Sequence, residues 1–105
     1  MQRGDVVALR LPKGVGHEQH GSRPAVVVQS DSLLPRTVVL IAPTSGSARA
    51  ASFRPEIVVA GRRTRVLVEQ AGAVDVSRLG RRLGRLTREE MWEVDAALMT
   101  VYGLH

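Results

Sequence analysis

Residues 25–42 read Ala-Val-Val-Val-Gln-Ser-Asp-Ser-Leu-Leu-Pro-Arg-Thr-Val-Val-Leu-Ile-Ala: two β-branched runs separated by a short polar link. Ala25–Val28 and Val38–Ala42 are each too short for a helix, and their branched side chains suit a pleated strand. Both are expected to be strands buried on both faces. Working outward, Val6–Leu9 has the same character, and Glu56–Ala60 and Val66–Gln70 continue it, with Gly61–Arg63 as the turn between them. Leu79, Leu83 and Leu86 fit no single period, but Gly80 and Gly84 among them disfavour a helix.

The pattern changes at Thr87-Arg88-Glu89-Glu90, a capping box in which the threonine hydroxyl and the glutamate each satisfy the other's backbone N–H. Met91, Val94, Leu98 and Val101 then recur at helical spacing, and Gly103 is placed to end the helix. Trp92, Met99 and Tyr102 flank that stripe, where core packing or a subunit contact explains them better than base stacking. Five or six short strands closed by one helix predict a mainly β fold, a small barrel with little exposed edge.

A chain of 105 residues with 44% hydrophobic and 24% charged residues is one domain, 1–105, with an ordinary core. It contains no cysteine, which excludes disulfides, thiolate metal sites and a cysteine nucleophile. No apolar run approaches the roughly 18 residues of a membrane span, and no signal-peptide core follows Met1. A cytoplasmic protein that does not engage membranes is expected. The formal charge is +5. Arginines crowd the stretch from Arg54 to Arg88, where only Glu56, Glu69 and Asp75 oppose them, a basic middle suited to a polyanion.

Two segments lack periodicity: Lys13–Ser22, rich in glycine, and Ser45–Ser52, small and polar. His17 and His20 with Glu18 have no third ligand nearby, so no metal site is assigned. No glycine-rich phosphate loop opens a helix. Arg23 stands where the first loop enters a strand, with Pro24 fixing the backbone beside it. It suits either a clamp on a carboxylate or an anion site. Thr44 and Ser45 follow Pro43 at the end of the third strand, where such a pair is ordinarily a turn.

Taken in order, these fragments resemble the MazF/PemK-type toxins of bacterial toxin–antitoxin pairs, nearly end to end. The resemblance rests on Arg3-Gly4-Asp5-Val6, on Gly16-x-Glu18-Gln19-x-Gly21-x-Arg23-Pro24, and on Ala25-Val26-Val27-Val28-Gln29-Ser30-Asp31. It continues through Pro43-Thr44-Ser45, Val68-Glu69-Gln70, Val74-Asp75 and Leu83-Gly84-Arg85-Leu86 to Glu90-Met91-x-x-Val94-Asp95-x-Ala97-Leu98. The loop motif ending in Arg23-Pro24 is its most specific part.

The resemblance implies an SH3-like barrel of the CcdB/MazF type. It also implies sequence-specific, metal-independent cleavage of single-stranded RNA (messenger, ribosomal or transfer) without a cofactor. In that chemistry the ribose 2′-OH attacks its own phosphate, leaving a 2′,3′-cyclic phosphate and a 5′-OH. Arg23 and Thr44 would be catalytic, while Glu18, Gln19, Gly21, Ser45, Glu69 and Gln70 would bind RNA or shape its groove. A homodimer is implied, neutralised by an antitoxin whose disordered acidic tail covers the groove. Val7 replaces an aromatic residue frequent in the family. Ala71-Gly72-Ala73 lacks the basic residue that often follows the Glu-Gln pair, so holding RNA would pass to Arg65, Arg78, Arg81 or Arg82. Phe53 is more at home in the core than under a base, and His17 or His20 could offer acid–base chemistry that no motif demands. Two alternatives share the fold. A gyrase-poisoning toxin of the CcdB type would have no use for Arg23 and Thr44, and a degenerate member would bind RNA or antitoxin without cleaving.

Overall fold

The computed structural model describes residues 1–10 and 21–104. Seven antiparallel strands and one helix follow in order: β1 (Asp5–Arg10), β2 (Ser22–Val27), β3 (Val38–Ser45), β4 (Glu56–Val59), β5 (Arg62–Val66), β6 (Gly72–Asp75), β7 (Leu79–Arg85) and α1 (Arg88–Tyr102). The sheet runs β4-β5-β3-β2-β1-β7, with β6 added to β3. β3 is the hub. One edge pairs β2 from Ile41 to Pro43, while the other pairs β6 from Val38 to Ile41 and then β5 at Thr44 and Ser45. The mainly β architecture with a C-terminal helix is as expected. The sheet nevertheless ends at β4 and β7 among the described residues, a half-barrel rather than a closed one.

Two apolar clusters account for the curvature. Val6, Val26, Ala42, Ile57, Val66 and Val68 pack beneath Val94 and Ala97 of α1. Val7, Leu9, Ala25, Val27, Val39 and Ile41 form a second cluster on the other side, with Leu34, Val74 and Leu79 against it. β2 is therefore buried on both faces, as its unbroken run requires. β3 is not: Val38 and Leu40 are 48% and 44% exposed while Val39 and Ile41 are buried. The expectation of burial on both faces fails there because α1 reaches only part of this strand.

Three further departures have local causes. The turn is Ala60-Gly61, not Gly61–Arg63. Both residues have positive φ, 51° and 78°, which gives a two-residue hairpin whose twist matches its strands. Arg62 and Arg63 thus belong to β5. The strand expected over Val66–Gln70 stops at Val66, because the chain must shift from pairing the end of β3 to pairing its start. It does so through a 3₁₀ turn at Val68–Gln70 that seats Val68 in the core, with the Leu67 N–H donating to the Pro43 carbonyl at 2.8 Å. β6 has no sequence signature, since glycine, alanine and aspartate are poor strand formers. Its pairing with β3 makes it a strand.

The helix start is as read. The Glu90 N–H donates to the Thr87 hydroxyl and the Thr87 N–H to Glu90 Oε1, while Glu90 Oε2 accepts from the Val58 N–H at 2.9 Å. One carboxylate thereby caps α1 and occupies a donor on the edge strand β4, limiting stray strand pairing there. Gly103 ends the helix at φ 69°. Trp92, Met99 and Tyr102 are exposed, which removes core packing as their role.

The opening motif is architectural. Gly4 has φ 92°, and a Cβ there would meet Met91 Sδ at 3.4 Å. Arg3 donates to the Val28 carbonyl and to Asp95 at 2.7 Å, tying the N-terminus to α1. Asp5, 5% exposed, accepts from the Gln2 N–H and pairs with Arg85 at 2.8 Å and Arg82 at 3.2 Å. Burial pushes its carboxyl up, but the Gln2 N–H and the two guanidiniums outweigh that and hold it below the ordinary value.

Candidate active site

Arg23 lies near the start of β2, exposed, with Leu9 of β1 opposite it. Pro24 follows and, having no N–H, offers only a carbonyl. That carbonyl accepts from the Thr44 hydroxyl at 2.7 Å. Thr44 is 2% exposed, opposite Val66 of β5. The hydroxyl extends the β2–β3 pairing one step beyond Ala25 and Pro43, at the end of β3 where a proline had already cost the ladder a donor. The fold therefore brings Arg23 and Thr44 to adjoining strand ends.

Their side chains do not leave those ends on the same face. With Val26 opposite Ala42, strand alternation places Pro24 and Thr44 on the face packed beneath α1, and Arg23 with Ala25 and Val27 on the other. Any ligand gripped by both must lie across the strand end.

Ser45 is half-buried, its hydroxyl 3.3 Å from that of Ser47. Gly21 is exposed, and a Cβ there would meet nothing within 4 Å, so no steric demand explains a glycine. Glu69 and Gln70 sit in the 3₁₀ turn after β5. Glu69 Oε2 accepts from Arg54 Nε at 2.9 Å and Nη2 at 2.6 Å. The Arg54 hydrogen bond holds the Glu69 carboxyl below its ordinary value against the opposing effect of burial. Its other oxygen, Oε1, is buried with no partner among the described residues. Glu69 thus braces the segment before β4, and Gln70 is exposed beside it. Phe53 packs on the main core. Glu18, Gln19, His17 and His20 lie outside the described residues.

Among the arginines proposed to replace the missing basic residue, Arg65 is 3.7 Å from Glu56, Arg78 donates to the Arg10 carbonyl, and Arg82 pairs with Asp5. Arg81 has no ion pair among the described residues. Arg54, not singled out in the sequence, is the partner of Glu69; only its place before Pro55 hinted at a fixed backbone. No cluster of three metal-ligating side chains occurs among the described residues, and no described helix is long and apolar enough to cross a membrane.

The described residues thus form a half-barrel sheet capped by a C-terminal helix, with an arginine and a threonine at adjoining strand ends. Residues 2–102 match the profile of the family described as PemK-like, MazF-like toxin of type II toxin-antitoxin system. A Mycobacterium tuberculosis protein named as a toxin is 42% identical over 90 residues, covering 85% of this chain and 84% of its own. Among solved structures, an endoribonuclease in complex with its cognate antitoxin, from a mycobacterial species, superposes with TM-score 0.82 at 20% identity, covering 100% of this chain and 97% of that one. MazF from Deinococcus radiodurans superposes with TM-score 0.78 at 24% identity, covering 99% and 97%. The chain belongs to the PemK/MazF toxin family of type II toxin–antitoxin systems.

Proposed function

We propose that this toxin is a sequence-specific endoribonuclease that cleaves single-stranded RNA without a metal ion. The observation that carries the reading is the exposed guanidinium of Arg23 at a strand end clasped by the Thr44 hydroxyl. The substrate brings its own nucleophile: the ribose 2′-hydroxyl gives up its proton as its oxygen bonds to phosphorus, the 5′-oxygen leaves and takes a proton, and a 2′,3′-cyclic phosphate remains. The protein need only align the attack and neutralise charge on the phosphorane. Arginine is always charged, so Arg23 acts as donor and countercharge, not as base. Thr44 keeps the Pro24 backbone in place and exchanges that carbonyl for a phosphate oxygen when RNA spans the strand end.

The partner is an antitoxin with an acidic, disordered tail that folds on the basic surface. The toxin works in the cytoplasm as a homodimer. The exposed Leu40 and Tyr102, which flank one shallow cleft where α1 ends beside β3, supply an apolar face for the second copy.

The test is purified protein with single-stranded RNA in chelator. Cyclic phosphate and 5′-OH ends are expected. Arg23→Ala, at an exposed position, should keep its melting temperature and lose about 10²–10³ in rate; full activity in that variant would refute the assignment. One observation favours a second reading, a toxin that binds RNA without cutting it: the Thr44 hydroxyl is already engaged and faces away from Arg23. That protein would bind RNA in a salt-dependent way and cleave none at any concentration.

A further inference from the structure

On the Thr44 side of the same strand end lies a cleft of about 370 Å³ that the proposed chemistry does not use. Pro24 and Leu83 form one wall, and the β4–β5 turn with Ala60, Arg62 and Arg63 forms the other. Gly46 opens onto it, and a Cβ built there meets nothing within 4 Å. The lining is apolar below and cationic at the rim. Arg62 makes no ion pair among the described residues, and Arg63 is 80% exposed with only a 3.9 Å approach to Glu56. Ala60 holds φ 51° at a turn position that favours glycine or asparagine, so the cleft wall includes a strained, non-glycine residue.

We propose that this cleft receives one unstacked base of the RNA and sets the sequence preference at that position. The inference rests on the nuclease reading and adds to it a base-reading subsite. Proteins that bind single strands commonly stack bases on aromatic rings or guanidinium planes. Phe53 is committed to the core. The cleft offers the remaining means: apolar surface from Pro24 and Leu83, with the Arg62 and Arg63 side chains also lining it. A base seated here lies on the face of Thr44, with Arg23 on the far face. The phosphodiester joining it to the next nucleotide must then cross the strand end between them, where the proposed chemistry needs it. An acidic peptide would also be drawn to the arginines, but its carboxylates would gain nothing from the apolar lining that a base face can cover.

The experiment compares wild type, Gly46→Phe and Arg62→Ala/Arg63→Ala on a randomised single-stranded RNA pool, reading 5′ ends. It also measures binding of short oligonucleotides that lack the reactive 2′-OH and differ at one base. Gly46→Phe fills the cleft and should erase the preference at one position while shifting the others little. The double arginine variant should weaken binding most for the base the cleft prefers, flattening the preference at that position, and lower the salt dependence, with a log–log slope smaller by about 0.7 for each phosphate no longer neutralised. Thermal melts confirm that the variants fold, and the arginine pair, being on the surface, remains informative if Gly46→Phe does not. An unchanged preference in both folded variants overturns the proposal. So does loss of acidic-peptide binding with RNA preference intact, which would make the cleft a peptide site. If the wild type cleaves nothing, the nuclease reading fails by itself, and base-dependent oligonucleotide binding still decides for or against the cleft.

Discussion

Replacing Thr44 with valine keeps the shape of the side chain and deletes one oxygen. The hydroxyl is the donor to the Pro24 carbonyl at 2.7 Å and belongs to a residue 2% exposed. Leaving a buried polar group unpaired costs about 1–3 kcal/mol. Pro24 is only half-buried, which puts the expected loss in the lower half of that range. In a domain near this size each 1 kcal/mol lowers the melting temperature by about 4 °C or somewhat more. Thr44→Val should therefore melt roughly 4–8 °C below wild type, while Thr44→Ser, which keeps the hydrogen bond, loses a methyl group worth about 0.8 kcal/mol. Against a typical stability of about 5–15 kcal/mol, both variants remain folded at 25 °C. Any rate loss beyond a few per cent is then a loss of chemistry. On the proposed reading Thr44→Val falls about 10²–10³ in cleavage rate and Thr44→Ser does not. Melts followed by circular dichroism, and single-turnover cleavage at 25 °C, measure the two quantities separately. A valine variant that melts with wild type would show that the clasp carries no weight. One that melts low but cleaves at full rate would remove Thr44 from the reaction.

Asp5 has its carboxyl held below the ordinary value, so the folded chain binds fewer protons than the unfolded one as pH falls through the reference value of 3.8. Its contribution to stability is present above that value and lost as pH drops through the lower folded one; urea midpoints should decline on acidification, less steeply in Asp5→Asn. A parallel decline in both would refute the assignment. Glu90→Ala removes the cap and the tie to the Val58 N–H together, for an expected cost of about 1–2 kcal/mol read from chemical denaturation. Glu90→Gln, which keeps one carbonyl oxygen, should lose less. Leu40→Glu with Tyr102→Glu places charge on the apolar face beside β3, and light scattering should then report monomer where wild type is dimer; a dimer that survives would move the subunit contact elsewhere.

The motif residues divide by what the fold does with them. Arg3, Gly4, Asp5 and Asp95 turn out to hold the framework: a left-handed turn, a buried carboxylate between two arginines, and a tie from the N-terminus to α1. Arg23 was legible from its place beside Pro24 as a clamp or an anion site, whereas Thr44 was legible as a candidate only through the family pattern, since a threonine at a strand end is ordinarily a turn residue. Glu69 was legible as a residue of interest, but its partner Arg54 was not, because 15 positions separate them and no local period links them. The groove-lining roles expected of Gly21, Ser45 and Gln70 come from the resemblance alone.

Local chemistry was enough for some conclusions. β-branched runs with few rotamers make strands wherever they can be buried, and the Thr87–Glu90 cap satisfies its own backbone donors without help from the rest of the chain. These gave the mainly β class, the position of the helix and the burial of β2. Pairing and coverage were decided only by tertiary structure. β6 is a strand because β3 offers it an edge, Val68–Gln70 is a 3₁₀ turn because the chain must change partners there, and Leu40 is exposed because α1 ends short of covering it. The same holds for the site: the Thr44 hydroxyl reaches the Pro24 carbonyl across 20 residues of sequence, and strand alternation sends Arg23 to the opposite face, a relation that no spacing along the chain encodes.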